Sequence, residues 1–243
     1  MSAPKTGGPV DPALIEDLVV ANRVLAHHGV LDAYGHVSIR HPANPERYLM
    51  SRQLAPELVT AEDVLEYDLD STVVGGGEHS VFLERFIHGE MYRARPDVHA
   101  VIHSHSPSVI PFGITTVPLK PVYHMAGFLY AGVPNFDIRK HRGMTNMLVT
   151  DGALGKALAD TLGERTVSLM RGHGNVVVGP NIKVATYRAI YTEINARLQM
   201  QALQLGGEIT YLDPEEGRLI DSVQAQNTIN RPWTLWKRKA LGK

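Results

Sequence analysis

Helical and extended segments alternate along this chain, and that alternation is what most narrows the folds open to it. The run DPALIEDLVVANRVLAHHG, Asp11 to Gly29, has an N-capping Asp, Pro at the first helical position, apolar residues at helical spacing and Gly29 as a stop. GHVSIRHP and ERYLMS read as strands separated by PANP, and DVLEYDLD as another ahead of the GGGE turn. SVFLERFIHGEMYRARPD carries Phe82, Phe86, Ile87 and Met91 at spacings that bury one helical face, and it ends before Pro96. HAVIHSHS follows as a strand. Further on, DGALGKALADTLG reads as a helix, VSLMRGHGNVVVG as a strand, and IKVATYRAIYTEINARLQMQALQLGG as a long helix. With no internal repeat and no low-complexity linker, the pattern predicts one layered α/β domain over residues 11–220. A loose arm (1–10) is expected before it and a tail (221–243) after it.

Composition limits the chemistry. With 24 Lys+Arg against 25 Asp+Glu, the net charge of -1 gives no general attraction for nucleic acid or an anionic membrane, which leaves small molecules or further copies of the chain as expected partners. No stretch approaches the roughly 20 apolar residues that span a bilayer, and MSAPKTGGPVDPA lacks an apolar signal core, so a cytoplasmic protein is expected. The absence of cysteine excludes thiolate ligands and Cys nucleophiles and leaves any metal to His, Asp and Glu.

That makes the 12 histidines worth tracing. His27, His28, His41 and His141 fall at helix ends or in polar loops, where His caps carbonyls or meets solvent, and His79, His88 and His99 read little differently. His103 and His105 stand two apart on one strand, so their side chains share a face, and Ser106-Pro107 ends the strand at once. Strand ends beside loops present ligands to clefts. His173 in LMRGHGNVVVG, flanked by Gly172 and Gly174, is the candidate third ligand. Three imidazoles without thiolates suit a catalytic site with open positions. Glu84 lies amid apolar residues, where burial raises a carboxyl pKa unless a cation is near.

With GHVSIR at 35–40, ERFIHGEMYRARPDVHAVIHSHS at 84–106, RGHG at 171–174 and YTEINA at 191–196, the chain resembles the class II aldolase/adducin family from about Asp11 to Gly207. The resemblance implies a three-layer α/β/α sandwich with a largely antiparallel central sheet, assembled as a homotetramer with active sites at subunit boundaries. It places one divalent metal ion per chain on His103, His105 and His173, with Glu84 as a further ligand and acid/base. Tyr191 is the residue it implies can reach a neighbouring subunit's site.

Departures from that pattern shape the functional expectation. Sugar-phosphate aldolases of the family hold phosphate with paired serines where this chain has Phe82 and Leu83. Their asparagine of the G-N-V-S motif is His36 here, and their proton-donating tyrosine falls on His124. The chain is similar instead to a branch of decarboxylases acting on hydroxylated aromatic and pyridine dicarboxylates. The expectation is therefore a metal-dependent decarboxylase of an ortho-hydroxylated aromatic acid, with Glu84 or His124 donating the proton and Glu84 preferred. Arg52 and Arg171 stand beside the motifs, where a guanidinium either grips a substrate carboxylate or forms a structural ion pair. An aldolase or epimerase on a non-phosphorylated hydroxy-carbonyl compound is the alternative, and an adducin-like binding head would have no reason to keep all four metal residues. Imidazole and carboxylate ligands leave the metal open among Zn, Mn, Fe and Co.

Overall fold

A computed structural model describes residues 6–223 and 228–242. Helix α1 (Pro12–His27) starts as its sequence dictates: the Asp11 carboxylate accepts from the Ala13 N–H, and Gly29 leaves the helix at φ +67°. Strands β1 (His36–Arg40), β2 (Arg47–Ser51) and β3 (Val64–Asp68) then form an antiparallel meander. Helix α2 (Phe86–Ala94) follows a short 3-10 turn, Leu83–Arg85, and leads into β4 (Ala100–Ser104). After the short helix α3 (Ile110–Ile114) come β5 (Asn135–Phe136), α4 (Arg139–Arg142) and α5 (Gly152–Leu162). Strands β6 (Val167–Met170) and β7 (Gly174–Gly179) precede the 24-residue α6 (Ile182–Leu205), and α7 (Pro214–Val223) and α8 (Asn230–Ala240) close the chain.

The seven strands make one sheet in the order β3-β2-β1-β4-β7-β6-β5, antiparallel throughout except for the β5–β6 pair. Alternation along each strand feeds two apolar layers. Val37, Ile39, Ala100, Ile102 and Val177 pack with α1, α6 and α8, while Val101, Val176 and Val178 pack with α2 and α5. The three-layer α/β/α sandwich with a largely antiparallel sheet is thus the observed architecture.

Two segments differ from their sequence reading. VSLMRGHGNVVVG is two antiparallel strands joined by a turn at residues 171–173, with Gly172 at φ +66°; apolar runs on both sides of the turn conceal it in the sequence. The stretch read as a tail contains α8, whose Trp233 and Trp236 are buried in the layer formed with α1. Burying two indoles gives this helix a core role, and truncating either would cost on the order of 3–5 kcal/mol. In the arm, residues 1–5 and, in the tail, residues 224–227 and 243 lie outside the described residues. Thr6 and Gly7 dock on the Glu66 carboxylate, so the described part of the arm is held on β3.

Candidate metal centre

Strand parity aims the first two histidines. Val101 faces α2, so His103 does too, and His105, one residue past the end of β4, keeps the same direction. Glu193 of α6 fastens the chain where it leaves the strand: its Oε2 accepts from Ser106 Oγ at 2.6 Å and from the Ser108 N–H at 3.0 Å. His173 arrives on the β6–β7 turn. That turn is pressed against β4, for a Cβ on Gly174 would overlap the Ser104 carbonyl oxygen. Glu84 comes from the 3-10 turn ahead of α2, at φ -91° and ψ 17°.

One ligand atom from each of Glu84, His103, His105 and His173 lies within 4.8 Å of the others. Hydrogen bonds behind the rings set which nitrogens face inward. His103 Nδ1 lies 3.2 Å from the Asn175 carbonyl and His173 Nδ1 3.2 Å from the Met147 carbonyl. A carbonyl only accepts, so Nδ1 carries the proton on both rings and Nε2 presents its lone pair to the centre. Glu84 Oε1 accepts from the Val149 N–H at 2.9 Å, which turns Oε2 toward His103 Nε2 at 3.6 Å and His173 Nε2 at 3.4 Å. His105 Nε2 lies 3.1 Å from His173 Nε2.

The donor set fits a divalent cation. His103 Nε2 is buried with no hydrogen-bond partner, a lone pair that a cation would satisfy. Two Nε2 lone pairs and a carboxylate oxygen crowding together want positive charge between them. Burial pushes His105 down to about 4, with His103 and His173 adding to the effect, so it is a neutral ligand at ordinary pH. Burial alone would raise the Glu84 carboxyl, and positive charge beside its Oε2, where His103 and His173 Nε2 lie, is what holds it well below the usual carboxylate range.

Glu84, His103 and His105 floor a cleft of about 460 Å³ walled by Tyr34, His36, Gln53, Leu54, Phe82 and Leu148, with His173 behind them. No Lys or Arg lines it among the described residues. The His36 ring lies beside both Phe82 and His103, with centroids 4.7 and 5.1 Å away. The other expected site residues lie elsewhere. Arg52 donates from Nε to Asp63 at 2.7 Å and Arg171 from Nε to Asp137 at 3.0 Å, so the guanidiniums expected to grip a substrate carboxylate are committed to carboxylates of this chain. Asp63 is fixed in a capping box, accepting from the N–H and hydroxyl of the N-cap residue Thr60, and Asp137 also binds Arg139. His124 is exposed at the start of a 3-10 helix, His124–Leu129, and Tyr191 lies tilted against Tyr187 on α6; neither lines the cleft.

His88 is the residue that sequence reasoning passed over. It is fully buried and bonded to both His36 and Ser38, and burial pushes it down to about 3. Two stripes could have revealed it: His36, Ser38 and Arg40 alternating with Val37 and Ile39 on a strand, and Glu84, His88 and Tyr92 four apart on a helix.

Residues 16–200 match the family described as Class II Aldolase and Adducin N-terminal domain. The chain is 39% identical over 238 residues to decarboxylase tropJ of Talaromyces stipitatus, covering 89% of this chain and 90% of that protein. It is 31% identical over 229 residues to the 3,4-dihydroxyphthalate decarboxylase of Arthrobacter keyseri, covering 88% of each. Among solved structures, the L-fuculose 1-phosphate aldolase of Glaciozyma antarctica superposes with a TM-score of 0.77 at 24% identity, over 97% of this chain and 96% of that one, and so shares the fold. On the matched domain and these relatives together, the chain belongs to the class II aldolase and adducin family.

Proposed function

We propose that the protein is a metal-dependent decarboxylase of ortho-hydroxylated aromatic or heteroaromatic carboxylates and dicarboxylates. The observation that carries this reading is the convergence of Glu84, His103, His105 and His173, the first three of which floor a cleft walled by apolar and aromatic side chains. Relatives named as decarboxylases, one of them for a dihydroxyphthalate, support it. A divalent ion held by those four residues would supply Lewis acidity toward a substrate oxygen, drawing off the electrons that C–C cleavage releases. Zn, Mn, Fe and Co all suit these donors.

The chain's own residues do the rest. The Phe82 ring and the Leu54 and Leu148 side chains give a planar ring apolar contact and exclude water, which strengthens every polar interaction on the floor. Phe82 and Leu83 offer a phosphate no donor side chain. Glu84, ionised at rest and anchored through Oε1, is placed to take the substrate's hydroxyl proton on Oε2 and return it to the carboxyl-bearing carbon as that carbon loses carbon dioxide. Atoms balance: the carboxylate leaves as carbon dioxide and a C–H bond replaces the C–C bond. A homotetramer with sites at subunit boundaries belongs to the same proposal, with His124 and Tyr191 acting toward a neighbour's cleft.

Screening ortho-hydroxy aromatic and pyridine carboxylates for carbon dioxide release, before and after chelation and with each metal added back, tests it. Release that vanishes on chelation and returns with metal is expected. Full turnover by verified metal-free protein, or cleavage of a sugar phosphate at roughly 1 per second or faster, would replace this reading with another.

A further inference from the structure

His88 sits one helical turn beyond Glu84, 0% exposed, with both ring nitrogens engaged. Its Nε2 is 2.6 Å from His36 Nδ1, its Nδ1 is 2.6 Å from Ser38 Oγ, and Ser38 Oγ is 2.8 Å from the Tyr92 hydroxyl. Two periodicities build this row. His36 and Ser38 share one face of β1, and His88 and Tyr92 share one face of α2 packed over it. The row runs from the cleft wall, where His36 adjoins His103, into the interior.

Such a row has a direction, because a neutral imidazole donates from one nitrogen and accepts at the other. Tyr92 sets it. The residue is 1% exposed, and Ser38 Oγ is the one acceptor its hydroxyl reaches among the described residues, the Val101 backbone N–H beside it being able only to donate. The phenol proton therefore goes to Ser38, since a buried donor left unmade costs about 1–3 kcal/mol. Ser38 then donates to His88 Nδ1, and His88 donates from Nε2 to His36 Nδ1. His36 is left with its proton on Nε2, the nitrogen not used inside. Run the other way, the row spends the Ser38 proton on Tyr92 and strands the phenol proton with no acceptor.

We propose that His88 is a positioning residue which, backed by Ser38 and Tyr92, locks His36 as an Nε2–H donor at the cleft wall, where it binds a carboxylate oxygen of the substrate. The binding half of this proposal rests on the aromatic-acid reading of the cleft; the lock does not. A donor fixed from behind needs no reorganisation when the anion arrives, and it adds anion recognition to a cleft that no Lys or Arg lines among the described residues.

Long-range proton–nitrogen NMR of the full chain, labelled with ¹⁵N-histidine, loaded with zinc and free of substrate, reads each ring's tautomer; the spectrum of His36→Asn assigns the signal. His36 protonated on Nε2 is expected. Tyr92→Phe removes the phenol proton without touching the cleft and should convert His36 to a mixture of tautomers. The same variant should raise KM for the aromatic acid about tenfold or more while kcat moves little, the scale of one hydrogen bond to a charged group. His88→Leu should act as Tyr92→Phe does, and His88→Gln, which keeps an amide donor opposite His36 Nδ1, should restore much of the loss. His36 found with its proton on Nδ1 in the unmodified protein overturns the lock, as does a tautomer indifferent to Tyr92→Phe. An altered tautomer with KM unmoved overturns the binding role. The expected tautomers in a protein that decarboxylates no aromatic acid would sustain the lock and remove the proposed function instead.

Discussion

Glu84 concentrates the chemistry at the scale of single residues. A carboxylate beside Ile87 and Phe82 has no apolar reason to be there, and its two oxygens do different things: Oε1 is held by the Val149 N–H while Oε2 faces the histidine nitrogens. Glu84→Gln keeps the shape and can still accept from Val149, but it cannot exchange a proton. If Glu84 moves the proton, the variant should fold, keep metal through His103, His105 and His173, bind substrate and lose roughly 100-fold or more in turnover at saturating metal. If Glu84 serves only as a ligand, metal affinity should fall while the metal-saturated rate stays near that of the unmodified protein. Turnover and bound metal measured on one sample separate the two, and normal values of both would pass the acid role to His124.

At the scale of elements, the centre depends on how closely two strands approach. β4 and β7 pair from Ala100–Gly179 to Ser104–Asn175, and Gly174 lets the β6–β7 turn lie on the Ser104 carbonyl. Gly174→Ala has no room for its methyl, because the neighbour is backbone and cannot rotate away. The turn carrying His173 should lift from the strand carrying His103 and His105. Weaker metal binding and a lower Tm are expected together, read by metal titration and thermal unfolding; unchanged metal affinity would show that the strand contact does not position the ligands. What the sequence revealed follows the same division. The shared face of His103 and His105 was legible because it depends on adjacent residues of one strand, and His173 because its flanking glycines mark a tight approach. The partners of Arg52 and Arg171 were not legible, since Asp63 and Asp137 reach them through the fold. His88 was missed because it acquires meaning only when α2 is laid over β1. The Trp233 and Trp236 pair, on one face of α8, shows a core role only against α1.

For the whole molecule, the cluster of Glu84, His103, His105 and His173 and the cleft belong to one chain, whereas His124 is exposed and lines no part of that cleft. Leu198, Leu203 and Leu205 are exposed toward the end of α6, apolar surface available to another copy. If His124 serves a neighbour's cleft, the functional unit is the junction of two chains, and two different defects should complement. His105→Ala removes a metal ligand and His124→Ala removes the donated group, so each variant alone should lose about 100-fold or more in turnover. Co-expressed in equal amounts with different tags and purified through both, they should form oligomers in which about one site in four combines an intact metal cluster with an intact His124, by random assembly around a closed ring. Activity recovered to about that fraction places His124 across the boundary. Two variants that co-assemble without recovery would confine the reaction to one chain. Full activity in His124→Ala would free His124 from the reaction altogether, and light scattering that finds an active monomer would remove the shared site along with the tetramer.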